Sequence, residues 1–406
     1  MLIPNDLLKN KKVLLGVTGS IAVYKSLEIV RYLVKAGAEV KVIMSESAKK
    51  FVTPLTFETL TSNQILDDNN ESWVDEHNHI KAGDWADMML IAPATANTIA
   101  KLSHAVADSI LLQTALAYPG VKLLAPSANT NMIESPITQD NLRLLKLSKY
   151  EFVDTQVKEL ACKTTGNGAM AEPIDIFWAC ARKLLEDNFW LNRSVIVTGG
   201  GTIEKIDDVR YISNYSSGKM ASSLATALYC KGADVELIAS KFENELPTNL
   251  NTLHVESSNE MYKSLSKSLH IVTKKEKKPY LFMAAAVSDY VPQTIQEGKL
   301  KKDLIGDTWD MKLKQNIDIL KSIDKADITT VGFKAEMDKT KALDNALSMI
   351  SKKDLDAVCL NILQDSSSFG TDNNKVEFIS KDEVKSIHSA DKVTVSLHIL
   401  EHSKTL

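Results

Sequence analysis

An internal echo constrains this chain more than any other feature. AGAEVKVIMS (36–45) returns as KGADVELIAS (231–240), with Gly37 matched by Gly232 and Val40 by Val235, 195 positions apart. In each copy a glycine stops a helix and an alternating or continuous apolar run begins a strand. Upstream of each lies another apolar run that ends in a glycine turn, KKVLLGVTGS (11–20) and SVIVTGGGT (194–202). Between them in the first copy, Val23, Leu27, Val30 and Val34 recur at helical spacing. The pattern is βαβ twice over, and 406 residues exceed what one core ordinarily serves. It predicts two α/β domains of similar plan, 1–190 and 191–406, joined after the capped-helix segment EPIDIFWACARKLLEDNFWLN (172–192).

Composition then narrows the function classes. With 44% hydrophobic residues, 25% charged residues and a net charge of −4, the chain has the balance of an ordinary soluble protein and no basic footprint for nucleic acid or a membrane surface. The opening MLIPNDLLKNKKVLLGV carries neither a leader pattern nor a long apolar span, so a cytoplasmic location is expected. The cysteines, Cys162, Cys180, Cys230 and Cys359, form no C-x-x-C pair, which points away from a disulfide framework or a zinc site. Cys180, Cys230 and Cys359 fall on helix or strand patterns and are expected in the core, whereas Cys162 stands in the glycine-punctuated stretch ACKTTGNGAM (161–170). A thiol there is open to three readings: core filling, a metal ligand or a titrating group.

Ligands of parallel sheets gather at the C-terminal strand ends. In the first half, DMMLIAPAT (87–95) and VKLLAP (121–126) read as buried strands. GVTGSIA (16–22) opens a helix after a strand, but its spacing departs from G-x-G-x-x-G, and Ser45-Glu46 follows the second strand too soon for a ribose-binding acid. A flavin-type monophosphate cradled by Thr18, Ser20, Ser45, Thr95 and Asn97 suits this loop better than NAD; a simple tight turn is the alternative. His79 in HNHIKAGDWAD and Asn129 in PSANTNM are polar candidates near strand or helix ends, each also readable as a surface or capping residue.

In the second half, PYLFMAAAV (279–287), ITTVGFKAE (328–336) and LDAVCLNIL (355–363) are strand candidates. TGGGTIE (198–204) places Glu204 after a glycine turn, and RYISNYSSGKMASS (210–223) joins Arg210 and Asn214 to a Ser-Ser-Gly helix start with Lys219 in its first turn, a ready anion site. KLKK (299–302) is either a solvated face or a neutraliser of a triphosphate, with Asp289 at hand for a base, a ribose or Mg²⁺. No Walker A motif is present, which argues against a P-loop kinase.

GVTGSIAVYK, NHIKAGDWAD, APATAN, PSANTNM and ACKTTGNGAM, followed by RYISNYSSGKM, AAAVSDY, KLKK, QNIDIL, VGFKAE and TDNN, form an ordered set. Over essentially the whole chain this set resembles the bifunctional coenzyme A biosynthesis proteins, in which a phosphopantothenoylcysteine decarboxylase is fused to a CTP-dependent phosphopantothenate–cysteine ligase. The resemblance implies two Rossmann-like domains, the first a flavodoxin-like parallel sheet binding FMN, the second a nucleotide-binding α/β sheet. It implies FMN contacts at Gly19, Ser20, Ile21, Ala22, Ser45, Pro93, Ala94, Thr95, Ala96 and Asn97. It assigns a base to His79, substrate holding to Asn129 and product protonation to Cys162, which places the metal and core readings of that thiol behind a proton-donating one. For the ligase it implies CTP contacts at Ala284, Ala285, Asp289, Lys299, Asn316, Ile317, Asp318, Ile319, Phe333 and Lys353. Lys299 would neutralise charge as pyrophosphate leaves, and Asn214 would serve conversion of the acyl-cytidylate.

The implied substrates are 4′-phosphopantothenate, L-cysteine and CTP with Mg²⁺, whose protein ligands the motifs do not name. The implied assembly is a homo-oligomer of trimer-based decarboxylase shells and paired ligase domains, up to a dodecamer. Four positions depart from the family pattern: Ala128, where it has methionine, Lys163, where it has glycine, Ala169, where it has arginine, and Met349, where it has lysine. The first three cluster in the decarboxylase clamp and lid, so a second reading is a ligase whose flavin domain is a regulatory or interaction module.

Overall fold

Gly37 and Gly232 each follow a helix with φ of +88° and +89°, the left-handed conformation that a glycine adopts at least cost. These two stops set the βαβ grammar in both halves. The computed structural model describes residues 3–75, 77–159, 163, 165–242, 246–300, 308–363 and 370–406. The chain divides into two compact units, Leu2–Leu185 and Glu186–Leu406.

In the first unit the strands β1 (Lys12–Val17), β2 (Glu39–Met44), β3 (Met88–Ala94), β4 (Val121–Pro126) and β5 (Tyr150–Phe152) form a parallel sheet in the order β2-β1-β3-β4-β5. Every residue of β3 is buried, as a central strand covered on both faces requires. The helices are α1 (Val23–Lys35), α2 (Pro54–Thr61), α3 (His79–Trp85), α4 (Ala96–Ser103), α5 (Ile110–Ala117), α6 (Thr130–Glu134), α7 (Pro136–Leu147) and α8 (Pro173–Leu185). The buried face of α1 is Val23, Ser26, Ile29, Val30 and Leu33, while Val34 is exposed, so the face is rotated from the Val23/Leu27/Val30/Val34 stripe that the spacing predicts. The reason is Ser26, which the apolar stripe leaves out: its hydroxyl donates to the Ala92 carbonyl of β3 at 2.7 Å, so a polar residue joins the buried face with its hydrogen bond satisfied.

A hairpin, β6 (Gln156–Glu159) with β7 (Thr165–Ala169), leads into α8. Part of ACKTTGNGAM is therefore strand rather than loop. Cys162 lies outside the described residues. Cys180 is buried on α8, and burial pushes its thiol up to about 12.

In the second unit the strands are β8 (Ser194–Gly199), β9 (Glu204–Lys205), β10 (Tyr211–Ile212), β11 (Asp234–Ala239), β12 (Asn251–His254), β13 (Tyr280–Met283), β14 (Tyr290–Pro292), β15 (Leu313–Gln315), β16 (Thr329–Glu336), β17 (Ala357–Ile362), β18 (Asn373–Ser380) and β19 (Val384–Asp391). The main sheet runs β12-β11-β8-β13-β16-β17-β18-β19. Its first six strands are parallel, and β18 and β19 pair antiparallel. This antiparallel extension breaks the similar plan that the repeat predicts. Neither strand carries the continuous apolar run of a central strand: β19 is an edge strand with mostly exposed side chains. The helices are α9 (Lys219–Cys230), α10 (Ser258–Val272), α11 (Ile319–Ser322), α12 (Ala342–Lys353) and α13 (Lys392–Ser403). Trp190 is fully buried with its ring 5.0 Å from Tyr280 and 4.9 Å from Phe189, so 189–190 pack as part of the second unit's core.

Replacing Gly37 by alanine would put a Cβ 2.9 Å from the Asn5 carbonyl in a left-handed backbone. Gly37→Ala should destabilise the first unit by more than about 1 kcal/mol, measured as a lowered midpoint in urea unfolding.

Candidate functional site

The first unit opens a cavity of about 530 Å³ at the C-terminal strand ends. The Thr18 hydroxyl builds its floor, donating to the Pro93 carbonyl at 2.7 Å and accepting from the Thr95 N–H at 3.2 Å, so the ends of β1 and β3 are tied together. The Ser20 and Ser127 hydroxyls lie 3.1 Å apart, and the Thr95 hydroxyl caps α4 by accepting from the Thr98 N–H. Gly19 passes so close to the turn after β2 that an added Cβ would sit 2.4 Å from that of Ser47. Among the residues expected to hold flavin, Gly19, Ser20, Ser45, Thr95, Ala96 and Asn97 line the cavity. Ile21 is exposed, Ala22 is buried, and Pro93 and Ala94 lie inside β3, none of them in the wall. Asp68 and Ser127 line it as well; Ser127 was findable as the residue that follows β4, but nothing in the sequence marks Asp68.

His79 begins α3, which Asn78 caps by accepting from the Ile80 and Lys81 N–H groups. Its Nδ1 lies 2.7 Å from Glu71 Oε1, and its ring meets Trp73 edge-on at 5.6 Å. The hydrogen bond from His79 is the chief reason that Glu71 titrates below its ordinary value. An ionised Glu71 requires the proton on Nδ1, which leaves Nε2 as the basic nitrogen. Glu71 is the partner the sequence did not reveal, because the pair stands eight positions apart with no local pattern to link them. His79 does not line the 530 Å³ cavity.

Asn129 caps α6, its Oδ1 accepting from the Asn131 N–H at 3.0 Å. The hairpin docks here. The Ala128 N–H donates to the Gly168 carbonyl, and a Cβ at Gly168 (φ +132°) would lie 2.2 Å from the Ala128 carbonyl oxygen. Gly168 thus serves close backbone approach and Gly166 leaves room for the Thr130 side chain, with Lys163 exposed near the hairpin's tip and Ala169 half-buried at the end of β7. At the other end, Lys25 of α1 holds the Met170 carbonyl at 2.8 Å and Glu172 at 3.1 Å, and Lys158 also pairs with Glu172.

In the second unit a cavity of about 610 Å³ gathers Ala285, Asp289, Asn316, Ile317, Asp318, Ile319, Phe333 and Lys353. Ala284 lines an adjoining pocket of about 240 Å³, together with Ser216, Ser217 and Lys219 at the start of α9. The β14–β15 ribbon brings Asp289 beside Asn316, whose N–H donates to the Asp289 carbonyl at 2.8 Å. The Asn316 side chain is spent on the loop itself: it donates to the Ser288 carbonyl and accepts from Ser258 and the Ile317 N–H. Asp318 caps α11 and pairs with Lys353 at 3.1 Å, while Asp289 stays exposed. Met349 stands in the wall with its thioether. Asn214 does not line this cavity; its amide donates to the Val287 carbonyl at 3.1 Å, tying the 210–218 loop to the cavity's edge. Lys299 is exposed and also outside the lining. Glu204 is buried and accepts from the Ser258 N–H, a structural task. Among the described residues, no group of three His, Cys, Asp or Glu side chains could hold a metal, and no helix is long and apolar enough to cross a membrane.

Two family models match the chain: "Flavoprotein" over residues 2–185 and "DNA/pantothenate metabolism flavoprotein C-terminal domain" over residues 190–406. Relatives described as "Coenzyme A biosynthesis bifunctional protein CoaBC" match nearly end to end. The one from Borreliella burgdorferi is 35% identical, covering 97% of this chain and 99% of its own length. That from Bacillus subtilis is 35% identical with 98% of each chain covered, and that from Vibrio vulnificus strain CMCP6 is 34% identical with 98% of each covered. The chain belongs to the coenzyme A biosynthesis bifunctional protein family. Each of the two matched regions of this family member contains one of the cavities.

Burial raises the Glu172 carboxyl, but hydrogen bonds from Lys158 and Lys25 outweigh it and leave its pKa below the ordinary value. A carboxylate depressed on folding stabilises above its unfolded pKa of about 4.3 and loses that contribution as pH falls through the lowered value. Thermal unfolding of Glu172→Gln should therefore lie below the parent at about pH 6, and the gap should shrink as pH falls below about 4.3 and on through the lowered value.

Proposed function

We propose that the chain performs two consecutive steps of coenzyme A biosynthesis. The Glu186–Leu406 unit condenses 4′-phosphopantothenate with L-cysteine, consuming CTP through an acyl-cytidylate, and the Leu2–Leu185 unit decarboxylates the product to 4′-phosphopantetheine. The observation that carries this reading is the coincidence of two separate cavities, one lined by six of the ten residues expected to hold FMN and the other by eight of the ten expected at CTP, in a chain aligned nearly end to end with bifunctional relatives.

The first cavity suits FMN: hydroxyls from four strand ends converge there, and the Gly19 turn leaves no room for a side chain. Gly19, Ser20, Ser45, Thr95, Ala96 and Asn97 would hold it. Bound there, it supplies oxidation of the thiol-bearing carbon and later returns the electrons. His79, with Glu71 fixing its tautomer, accepts a proton at Nε2. Asn129 orients the substrate, and Cys162 delivers the closing proton. Trp73 and Val74, 66% and 92% exposed close to His79 in the chain, support the expectation that another copy of the chain covers this edge and completes the flavin site.

In the ligase unit, Asp289 and the Lys353–Asp318 pair flank the nucleotide, and Mg²⁺ enters on its phosphates. Lys299 balances the charge that develops as pyrophosphate departs. Asn214 supports conversion of the acyl-cytidylate.

The test supplies 4′-phosphopantothenate, cysteine, CTP and Mg²⁺ and follows pyrophosphate and CO₂. Pyrophosphate without CO₂ would leave the ligase and turn the flavin unit into a binding module; neither product would end both assignments. Cys162→Ser should abolish 4′-phosphopantetheine formation while pyrophosphate release continues at the parent rate. Gly19→Val should lower the flavin absorbance of the purified protein without changing pyrophosphate release.

A further inference from the structure

We propose that Asp207 is a positioning residue of the ligase step: with Arg210 it grips the backbone beside Lys299 and so fixes where that ammonium meets the nucleotide's phosphates. The inference rests on the role given to Lys299 above and goes beyond it.

The side chain of Asp207 is wholly buried. One carboxylate oxygen accepts from the Val209 N–H at 2.9 Å and the Arg210 N–H at 2.7 Å. The other accepts from Arg210 Nε at 3.0 Å and from the Leu300 N–H at 3.2 Å. Arg210 Nη2 in turn donates to the Leu300 carbonyl at 3.0 Å, so this residue is held at its donor and at its acceptor by one ion pair. On the other side of Lys299, the Gly298 N–H donates to Asp208 at 2.9 Å, and the Gln296 N–H donates to the Ile206 carbonyl at 3.0 Å. The guanidinium also lies over the Trp309 ring at 5.2 Å, which anchors the chain beyond.

A buried carboxylate is costly unless paired and saturated with donors, and Asp207 meets both conditions; the Arg210 hydrogen bonds come first among the causes that hold its pKa far below the ordinary range. Its chemistry is directed at two places, its own turn and Leu300. Lysine carries a flexible four-carbon stem, so an ammonium whose root wanders spends little time at the reacting phosphates. Clamping the root removes that freedom before the nucleotide arrives.

The experiment uses the full chain with CTP, Mg²⁺ and 4′-phosphopantothenate, reading pyrophosphate release. Asp207→Asn should lower kcat by about tenfold to a hundredfold while the KM for CTP stays within about twofold. In a Lys299→Gln background, read by single turnover, the same substitution should change the residual rate by less than about twofold, because the group it positions is gone. A loss of the same factor in both backgrounds, or a parent kcat in Asp207→Asn, would overturn the inference while leaving Lys299 in place. A parent rate in Lys299→Gln itself would remove both. Asp207→Glu keeps the charge and moves it by one methylene, which guards against misfolding of the amide variant. Lowered kcat at an unchanged unfolding temperature supports the clamp, and parent kcat counts against it.

Discussion

Where parallel strands end, their peptide groups lose their ladder partners, and both candidate sites depend on short polar side chains that replace those partners. In the first unit Thr18 answers the Pro93 carbonyl and the Thr95 N–H. In the second, Thr202 accepts from the Ser288 N–H at 3.2 Å and Asn316 donates to the Ser288 carbonyl at 2.7 Å. Each arrangement holds two loops in register at the mouth of the sheet. A ligand arriving there meets a wall already formed.

The same economy governs the candidate site residues. Asn129 and Asn316, read from the sequence as ligand-facing amides, both spend side-chain bonds on their own loops. His79 needs Glu71 to choose between its ring nitrogens, and the segment bearing Lys299 needs the Asp207–Arg210 pair to hold it. The candidate residues His79 and Lys299 are thus backed by carboxylates that never appear in a motif. Such partners act over chain separations that local patterns do not record.

Much of the fold was legible. The echo around Gly37 and Gly232, the fully apolar run of β3 and the strands β13, β16 and β17 fall where periodicity and glycine stops put them. The buried face of α1 was misjudged, because a serine whose hydroxyl finds a strand carbonyl packs like an apolar residue. The antiparallel β18–β19 extension was missed, because a half-exposed edge pair has no continuous apolar signature. ACKTTGNGAM reads as a loop through its glycines, yet the segment from Thr165 to Ala169 pairs as a strand, since Gly168 lets backbone lie on backbone and Gly166 makes room for the Thr130 side chain.

Hydrophobic period and glycine punctuation are local properties, and they were enough to read the α/β class, the repeat of the βαβ unit and the strand ends at which the cavities open. That Glu71 faces His79, that Gly168 seats the hairpin against Ala128 and that Asp207 reaches Leu300 emerged with the folded chain alone. Those outcomes depend on hydrogen-bond directions and close approaches between distant segments, which exist only once the sheets have brought their loops together.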